Sequence, residues 1–162
     1  MVAILMRKRI IGLEQNQVTD ARPEWLDIEN LAVVEISSEN DAFPVESALR
    51  PGKGSGWRAS DPGKQLVRLI FDNPQRLQWI RLVFEELEVE RTQEFALRCS
   101  EDNGHSYREI IRQQWNFSPA GSTSEVENYH LDLAAVTILE LSINPDIGGS
   151  KAFASLKELR LA

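Results

Sequence analysis

The sequence predicts an all-β protein, an antiparallel β-sandwich or jelly roll of about eight strands. Apolar and polar residues alternate in several short runs, which is the period of a strand that puts one face into a core. Glycine, proline and asparagine separate these runs, as the turns between antiparallel strands require. Segments with a sustained helical period are scarce, so the alternation decides the fold class.

The individual strands follow from the same alternation. It is clearest at 67–71, 80–84 and 95–99. Further strands are predicted at 32–37, 109–115, 126–133, 137–144 and 155–161, with a weaker one at 4–11 and short helical turns at 22–29 and 45–49. The inward faces predict a core that includes Ile80, Leu82, Phe84, Phe95, Leu97 and Leu141.

Length and composition limit what the chain can do. Its 162 residues fit a single domain spanning 1–162, and its net charge of −7 disfavours nucleic acid and anionic membrane surfaces as partners. The single cysteine, Cys99, excludes an internal disulfide. A short apolar run at 2–6 precedes the basic residues instead of following them, so no export signal is predicted and we expect a cytoplasmic protein.

The order of several motifs from residue 34 to residue 161 resembles a known family. The segment 35–40 reads EISSEN, 43–49 reads FPVESAL and 56–60 reads GWRAS. A hairpin at 94–104 ends in Ser-Glu-Asp-Asn-Gly, and a strand at 154–161 closes the chain. Together these motifs resemble the discoidin, or coagulation factor 5/8 C-type, domains of the galactose-binding-like group. The resemblance implies an eight-stranded jelly roll whose loops at one end bind a glycan, a lipid headgroup or a protein.

The loop before the GWRAS motif departs from that family. Many members carry an acidic loop there, beside a structural calcium ion. Here the loop contains Arg50 and Lys53, whose positive charges disfavour a cation that prefers carboxylate oxygens. We therefore expect no metal and no other cofactor.

Candidate binding residues lie in the loops that the resemblance assigns to recognition. The first such loop, 39–44, contains Glu39, Asp41 and Phe43, and the second, 85–91, contains Glu86 and Glu88. The alternative for the glutamates is a solvated hairpin tip, because runs of charge usually only solvate a surface.

Two further positions complete the candidate set. Arg58 follows Trp57, for which a structural role in the core is the favoured interpretation. Trp115 and Asn116 pair an aromatic ring with an amide at a strand end, as sugar and peptide sites do, although they could equally cover the end of the sandwich.

The sequence therefore predicts a non-catalytic binding module. It contains no recognisable nucleophile, base or cofactor motif, and its two histidines, His105 and His130, fit no zinc signature. The ligand we expect is a carbohydrate, and the alternative is a protein partner within an intracellular complex. In both cases the acidic loops should disfavour polyanions.

Overall fold

The structure is a computed structural model that describes residues 24–52 and 54–162. The predicted strand at 4–11 and the first part of the predicted helical turn at 22–29 lie outside the described residues. The elements in chain order are α1 (Ile28–Leu31), β1 (Ala32–Ile36), α2 (Glu46–Leu49), β2 (Trp57–Pro62), β3 (Gln65–Glu85), β4 (Arg91–Ser100), β5 (Arg108–Phe117), β6 (Ser124–Asn144), β7 (Phe153–Leu156) and β8 (Glu158–Leu161).

Two long strands, β3 and β6, build both layers of the sandwich. Their register runs regularly from Gln65 opposite Ile143 to Ile70 opposite Ile138, is interrupted, and resumes at Trp79 opposite His130. Irregularities of this kind bend a strand pair. The predicted strands at 67–71 and 80–84 are thus the two halves of β3, and those at 126–133 and 137–144 are the two halves of β6.

The strands form an antiparallel sandwich, as the alternation predicts. The front layer, as we call it, has the order β1, first half of β3, second half of β6, β4 and β5. The back layer contains the other halves of β3 and β6, with β8 paired to β3. A separate pair, β2 with β7, completes the fold; β2 was not predicted as a strand.

The core lies between the two layers and contains the side chains that the alternation placed there. Each of the six predicted core residues is at most 1% exposed. Phe84 of the back layer stacks on Phe95 of the front layer with ring centroids 5.1 Å apart, so the two sheets interlock through aromatic contact. Trp57 is fully buried, which confirms its structural role.

Because β3 and β6 fold back on themselves, both ends of each strand reach the same end of the sandwich. Gln65 lies opposite Ile143 there, and Glu85 lies opposite Ser124. The loops 37–45, 86–90, 118–123 and 145–152 emerge around these positions, and we call this the open end. None of the helices in the described ranges is both long and apolar enough to span a bilayer.

Candidate functional site

A hollow of about 210 Å³ opens among the loops of the open end. We call it the loop-end pocket. It brings a residue of the first predicted recognition loop, Phe43, together with Glu85, where the second begins. Its lining consists of Phe43, Ser55, Arg58, Glu85, Ser155 and Lys157, with the buried Trp57 and Leu156.

Main-chain hydrogen bonds hold Phe43 beside Arg58. The amide of Asn40 donates to the carbonyl of Arg58 at 2.8 Å, and the amide of Arg58 donates to the carbonyl of Phe43 at 3.1 Å. The guanidinium carbon of Arg58 lies 5.0 Å from the centroid of the Phe43 ring, a cation–π arrangement. The recognition loop is therefore fixed against β2, and an aromatic ring and a cation are presented together.

A glycine allows the chain before β2 to approach the end of β7 closely. Gly56 has φ +82°, and a Cβ atom there would lie 2.7 Å from the carbonyl oxygen of Leu156. The next residue, Trp57, lies opposite Leu156 in the strand pair and donates its indole N–H to the carbonyl of Ser38 at 3.1 Å. Trp57 thereby joins the first recognition loop to the core.

The remaining polar groups come from the ends of other strands. Glu85 is the last residue of β3, and Ser155 and Lys157 lie at the junction of β7 and β8. The amide of Lys157 donates to the carbonyl of Val83 at 2.8 Å, which brings this junction to β3. The pocket thus combines cationic donors, a carboxylate acceptor and serine hydroxyls, a set that can satisfy a ligand rich in hydroxyl groups.

Sequence reasoning missed Ser55, Ser155 and Lys157. No local motif marks them, and Ser155 and Lys157 reach Arg58 only because β2 pairs with β7.

Two predicted residues of the first loop do not line the loop-end pocket. Glu39 accepts a hydrogen bond from the amide of Val45 at 2.6 Å and borders a separate hollow with Glu29 and Arg50. Asp41 is exposed at the turn of the loop. Glu39 therefore helps to fold the loop, and Phe43 is the residue of this loop that faces the pocket.

The glutamates of the second loop have different surroundings. Glu86 forms an ion pair of 2.8 Å with Arg91, whose side chain is only 1% exposed. Arg91 also donates to the carbonyl of Pro145 at 2.9 Å and lies over the ring of Phe117. Glu86 thus neutralises a buried cation and fixes the loop, whereas Glu88 is exposed.

Trp115 and Asn116 lie near the end of β5, outside the lining of the loop-end pocket. Trp115 is half-buried and packs against the core, and its indole N–H is buried without a hydrogen-bond partner in the part of the chain that the structure describes. Asn116 is exposed and accepts a hydrogen bond from the hydroxyl of Thr92 at 3.1 Å.

The loop that carries calcium in many discoidin domains is held here by an arginine of β8. The guanidinium of Arg160 donates to the main-chain carbonyls of Ala48, at 2.8 Å, and Arg50, at 2.6 Å. Within residues 24–52 and 54–162, no group of three or more acidic, histidine or cysteine side chains is placed to hold a metal ion. A calcium ion does not fit this loop, because the guanidinium of Arg160 already bonds to two of the carbonyl oxygens that would be its ligands.

Comparison with known proteins identifies the fold. No family model matches the sequence, and no curated protein matches it. Among solved structures, the chain is similar to the family 32 carbohydrate-binding module of NanJ from C. perfringens in complex with galactose, with a TM-score of 0.64, 13% identity and coverage of 85% of this chain and 96% of that one.

Two further structures are similar over a comparable length. One is a Clostridium perfringens CBM32 module, CpGH89CBM32-5, in complex with GalNAc-beta-1,3-galactose (TM-score 0.62, 18% identity, 85% and 98% coverage). The other is the CBM32 of AlyQ in complex with 4,5-unsaturated mannuronic acid (TM-score 0.60, 14% identity, 82% and 95% coverage). These likenesses show the galactose-binding-like β-sandwich. Membership of the discoidin branch stays a prediction.

Proposed function

We propose that the protein is a non-catalytic carbohydrate-binding module that holds a sugar in the loop-end pocket. The observation that carries the proposal is the convergence of Phe43, Arg58 and Glu85 in one hollow of about 210 Å³. The similar modules, two of which are in complex with galactose-containing sugars, support a carbohydrate as the ligand class.

Each group in the pocket has a role in this proposal. A sugar hydroxyl both donates and accepts hydrogen bonds, so Glu85 accepts from one hydroxyl while Arg58 and Lys157 donate to others. Hydrogen bonds to charged groups are the stronger kind and give the site its orientation. The ring of Phe43 packs against the C–H face of the sugar.

The fixed backbone of the pocket favours binding. Asn40, Phe43 and Arg58 are tied together by main-chain hydrogen bonds, and Trp57 is buried in the core. Little conformational entropy is then lost when a ligand enters, which leaves more of the contact energy for affinity.

Two measurements test the proposal. A glycan array identifies the sugars that the protein binds, and calorimetry with the best ligand then measures the affinity of each variant. Phe43→Ala and Arg58→Gln should each weaken binding about tenfold or more, which corresponds to the loss of one charged hydrogen bond or one ring contact. Arg76→Gln, an exposed arginine outside the pocket lining, is the matched control and should bind normally. Unchanged affinity in both pocket variants would contradict the proposal.

A protein partner is the second candidate, and the tip at 86–90 favours it. Leu87 and Val89 are 59% and 47% exposed there, and they alternate with the carboxylates of Glu86, Glu88 and Glu90. Exposed apolar side chains among acidic ones suit a partner that is apolar at its centre and basic at its rim. An affinity pull-down with the wild type and with Leu87→Ser/Val89→Ser distinguishes the two: loss of a specific partner from the double variant supports this surface, while glycan binding should not change.

A further inference from the structure

The outer face of the front layer carries a cleft larger than the loop-end pocket. Its volume is about 710 Å³. We call it the sheet-face cleft. Leu66, Ser142 and Ala96 lie side by side across β3, β6 and β4 and form its base. Because the side chains of Ser142 and Ala96 are small, the surface of the sheet is lowest at these two residues and rises on either side of them.

A row of alternating charges crosses five strands in register, and three of its members, Glu140, Arg98 and Glu109, line the cleft. Neighbouring strands pair Glu35 with Arg68, Arg68 with Glu140, Glu140 with Arg98, and Arg98 with Glu109. Opposite charges on directly paired positions stabilise a sheet and hold one another in place. The row is therefore a rigid, preorganised surface.

Glu140 is the centre of this row. Its side chain is only 3% exposed, and it accepts hydrogen bonds from Nε of Arg68 at 2.8 Å and Nε of Arg98 at 2.7 Å. Burial by itself raises the pKa of Glu140, but the hydrogen bonds from Arg98 and Arg68 outweigh it, and the pKa is lowered. Glu140 is thus a fixed anion that positions both arginines.

Arg98 presents unused hydrogen-bond donors to the cleft. Its guanidinium is held through Nε by Glu140, and its central carbon lies 4.0 Å from the centroid of the Tyr107 ring. The side chain is nevertheless 44% exposed, and its two Nη groups donate to none of the described residues. A planar fork held in this way offers two parallel N–H groups, which match the two oxygens of one carboxylate.

The other residues that line the sheet-face cleft determine which charge and polarity a ligand must have. Lys64 is exposed and has no ion pair with any residue of the described ranges, while Arg112 is paired with Glu94 and Glu109. The three cations and two carboxylates that line the cleft leave one net positive charge, in a chain whose net charge is −7. The hydroxyl of Ser142, at the base, bonds to none of the described residues and can accept or donate.

We propose that the sheet-face cleft is a second binding site, which takes a short oligosaccharide that carries a carboxylate. The Nη groups of Arg98 hold the carboxylate in a bidentate pair, and Lys64 strengthens the attraction from the other side. Hydroxyl groups of the sugar bond to Ser142 and to the carboxylate of Glu109. This site lies on a different surface from the loop-end pocket and does not depend on it.

Other occupants fit the cleft less well. A densely charged phosphate or sulfate polymer would meet Glu109 and Glu140 within the same cleft, so only a sparsely charged ligand matches the single net charge. An extended peptide would need the main-chain groups of an edge strand. Here β3, β6 and β4 are paired on both sides along the base.

Calorimetric titration with a galacturonate trimer, compared with its neutral galactose counterpart, tests the site when it is done in a Phe43→Ala/Arg58→Gln background, in which the loop-end pocket is disabled. The acidic trimer should bind, more weakly at high salt, and the neutral trimer should bind much less. Arg98→Gln and Lys64→Gln should each weaken binding, the first by about tenfold or more because it removes a charged bidentate contact. Lys64 is exposed and Lys64→Gln breaks no ion pair among the described residues, so this variant should retain the stability of the wild type.

The controls separate this proposal from the first one. Because the Phe43→Ala/Arg58→Gln background removes sugar binding at the loop-end pocket, the binding that remains reports on the cleft, and adding Arg76→Gln, which lies outside both sites, should leave the affinity for the acidic trimer unchanged. In that background, equal binding of the neutral trimer, no binding of the acidic one or normal binding after Lys64→Gln is added would each overturn the assignment. Tighter binding of duplex DNA than of the trimer would do so too, because it would make the cleft a general polyanion surface.

Discussion

The guanidinium of Arg160 donates a 2.8 Å hydrogen bond to the main-chain carbonyl of Ala48, which lies 112 residues earlier in the chain. Arg160 is only 5% exposed, and burial lowers its pKa. Glu158 lies 3.3 Å from its Nε atom and partly balances the charge. A protein cation thus joins β8, at the end of the chain, to the loop after α2.

Replacing this arginine should destabilise the protein. Arg160→Met keeps much of the apolar stem but leaves the carbonyls of Ala48 and Arg50 without their donor, at an expected cost of about 3 kcal/mol in the free energy of unfolding. Urea denaturation measures this cost. Arg76→Met is the matched control, because Arg76 is 61% exposed and its ion pair with Asp132 should contribute little.

Chelation should leave the melting temperature of the wild type unchanged, because Arg160 already occupies the carbonyls that a calcium ion would need. Differential scanning calorimetry with and without a chelator checks this. A drop in melting temperature that added calcium reverses would contradict it.

Glu125 should make stability depend on pH. It is 1% exposed, and neither of its carboxylate oxygens has a partner among the described residues. Burial, followed by the nearby charge of Glu127, raises the pKa of Glu125 from an ordinary 4.5 to about 8. The folded protein therefore retains a proton that the unfolded chain releases between these two pH values.

The sign follows from that difference in bound protons. Because the folded state holds the extra proton, the contribution of Glu125 to stability is fully present below pH 4.5 and is lost as the pH rises to about 8. We expect a loss of roughly 4 kcal/mol over this range, measured by urea denaturation at successive pH values. Glu125→Gln should remove most of this slope, whereas Glu88→Gln, at an exposed position, should retain it. An equal slope in all three proteins would show that Glu125 is ionised in the folded state.

The sequence was sufficient to predict the fold class and the core. Alternation is a local signal, and burial of Leu82, Phe84 and Leu97 follows directly from it. The bend in β3 was not predictable in the same way. Pro74 lies between the strands predicted at 67–71 and 80–84, yet β3 continues through it, at the point where the pairing with β6 is irregular.

The sites were only partly predictable, because they depend on pairing between distant strands. Phe43 and Arg58 belong to recognisable motifs, and both line the loop-end pocket. Lys157 reaches that pocket only through the register of β2 with β7 and the contact of the β7–β8 junction with β3. The Arg98–Glu140 pair likewise requires the register of β4 with β6, which alternation along a single strand does not contain.

Truncation of a core leucine should test whether the space between the two layers is tightly packed. Leu82 is fully buried in the back layer, so Leu82→Ala should cost about 2–5 kcal/mol through lost burial and a cavity. Leu87 is 59% exposed, and Leu87→Ala should change the unfolding free energy by less than about 0.5 kcal/mol. Equal, small effects of both substitutions in urea denaturation would place Leu82 outside a packed core.

Gly56 should be required both for the fold and for the loop-end pocket. Its φ of +82° disfavours any other residue, and a Cβ atom would lie 2.7 Å from the carbonyl oxygen of Leu156. Gly63 is the matched control, because its φ is +83° but a Cβ atom there would meet nothing within 4 Å. Gly63→Ala should therefore cost only the backbone term, about 1–2 kcal/mol.

Gly56→Ala adds a main-chain clash to that term, so it should destabilise the protein more than Gly63→Ala does. The clash must push the segment before Trp57 away from β7, and Arg58 moves with it. Calorimetry with the best glycan should then show weaker binding by Gly56→Ala at temperatures where it is still folded, and normal binding by Gly63→Ala. If both variants lose the same stability and bind equally well, the close approach of Gly56 to Leu156 does not shape the pocket.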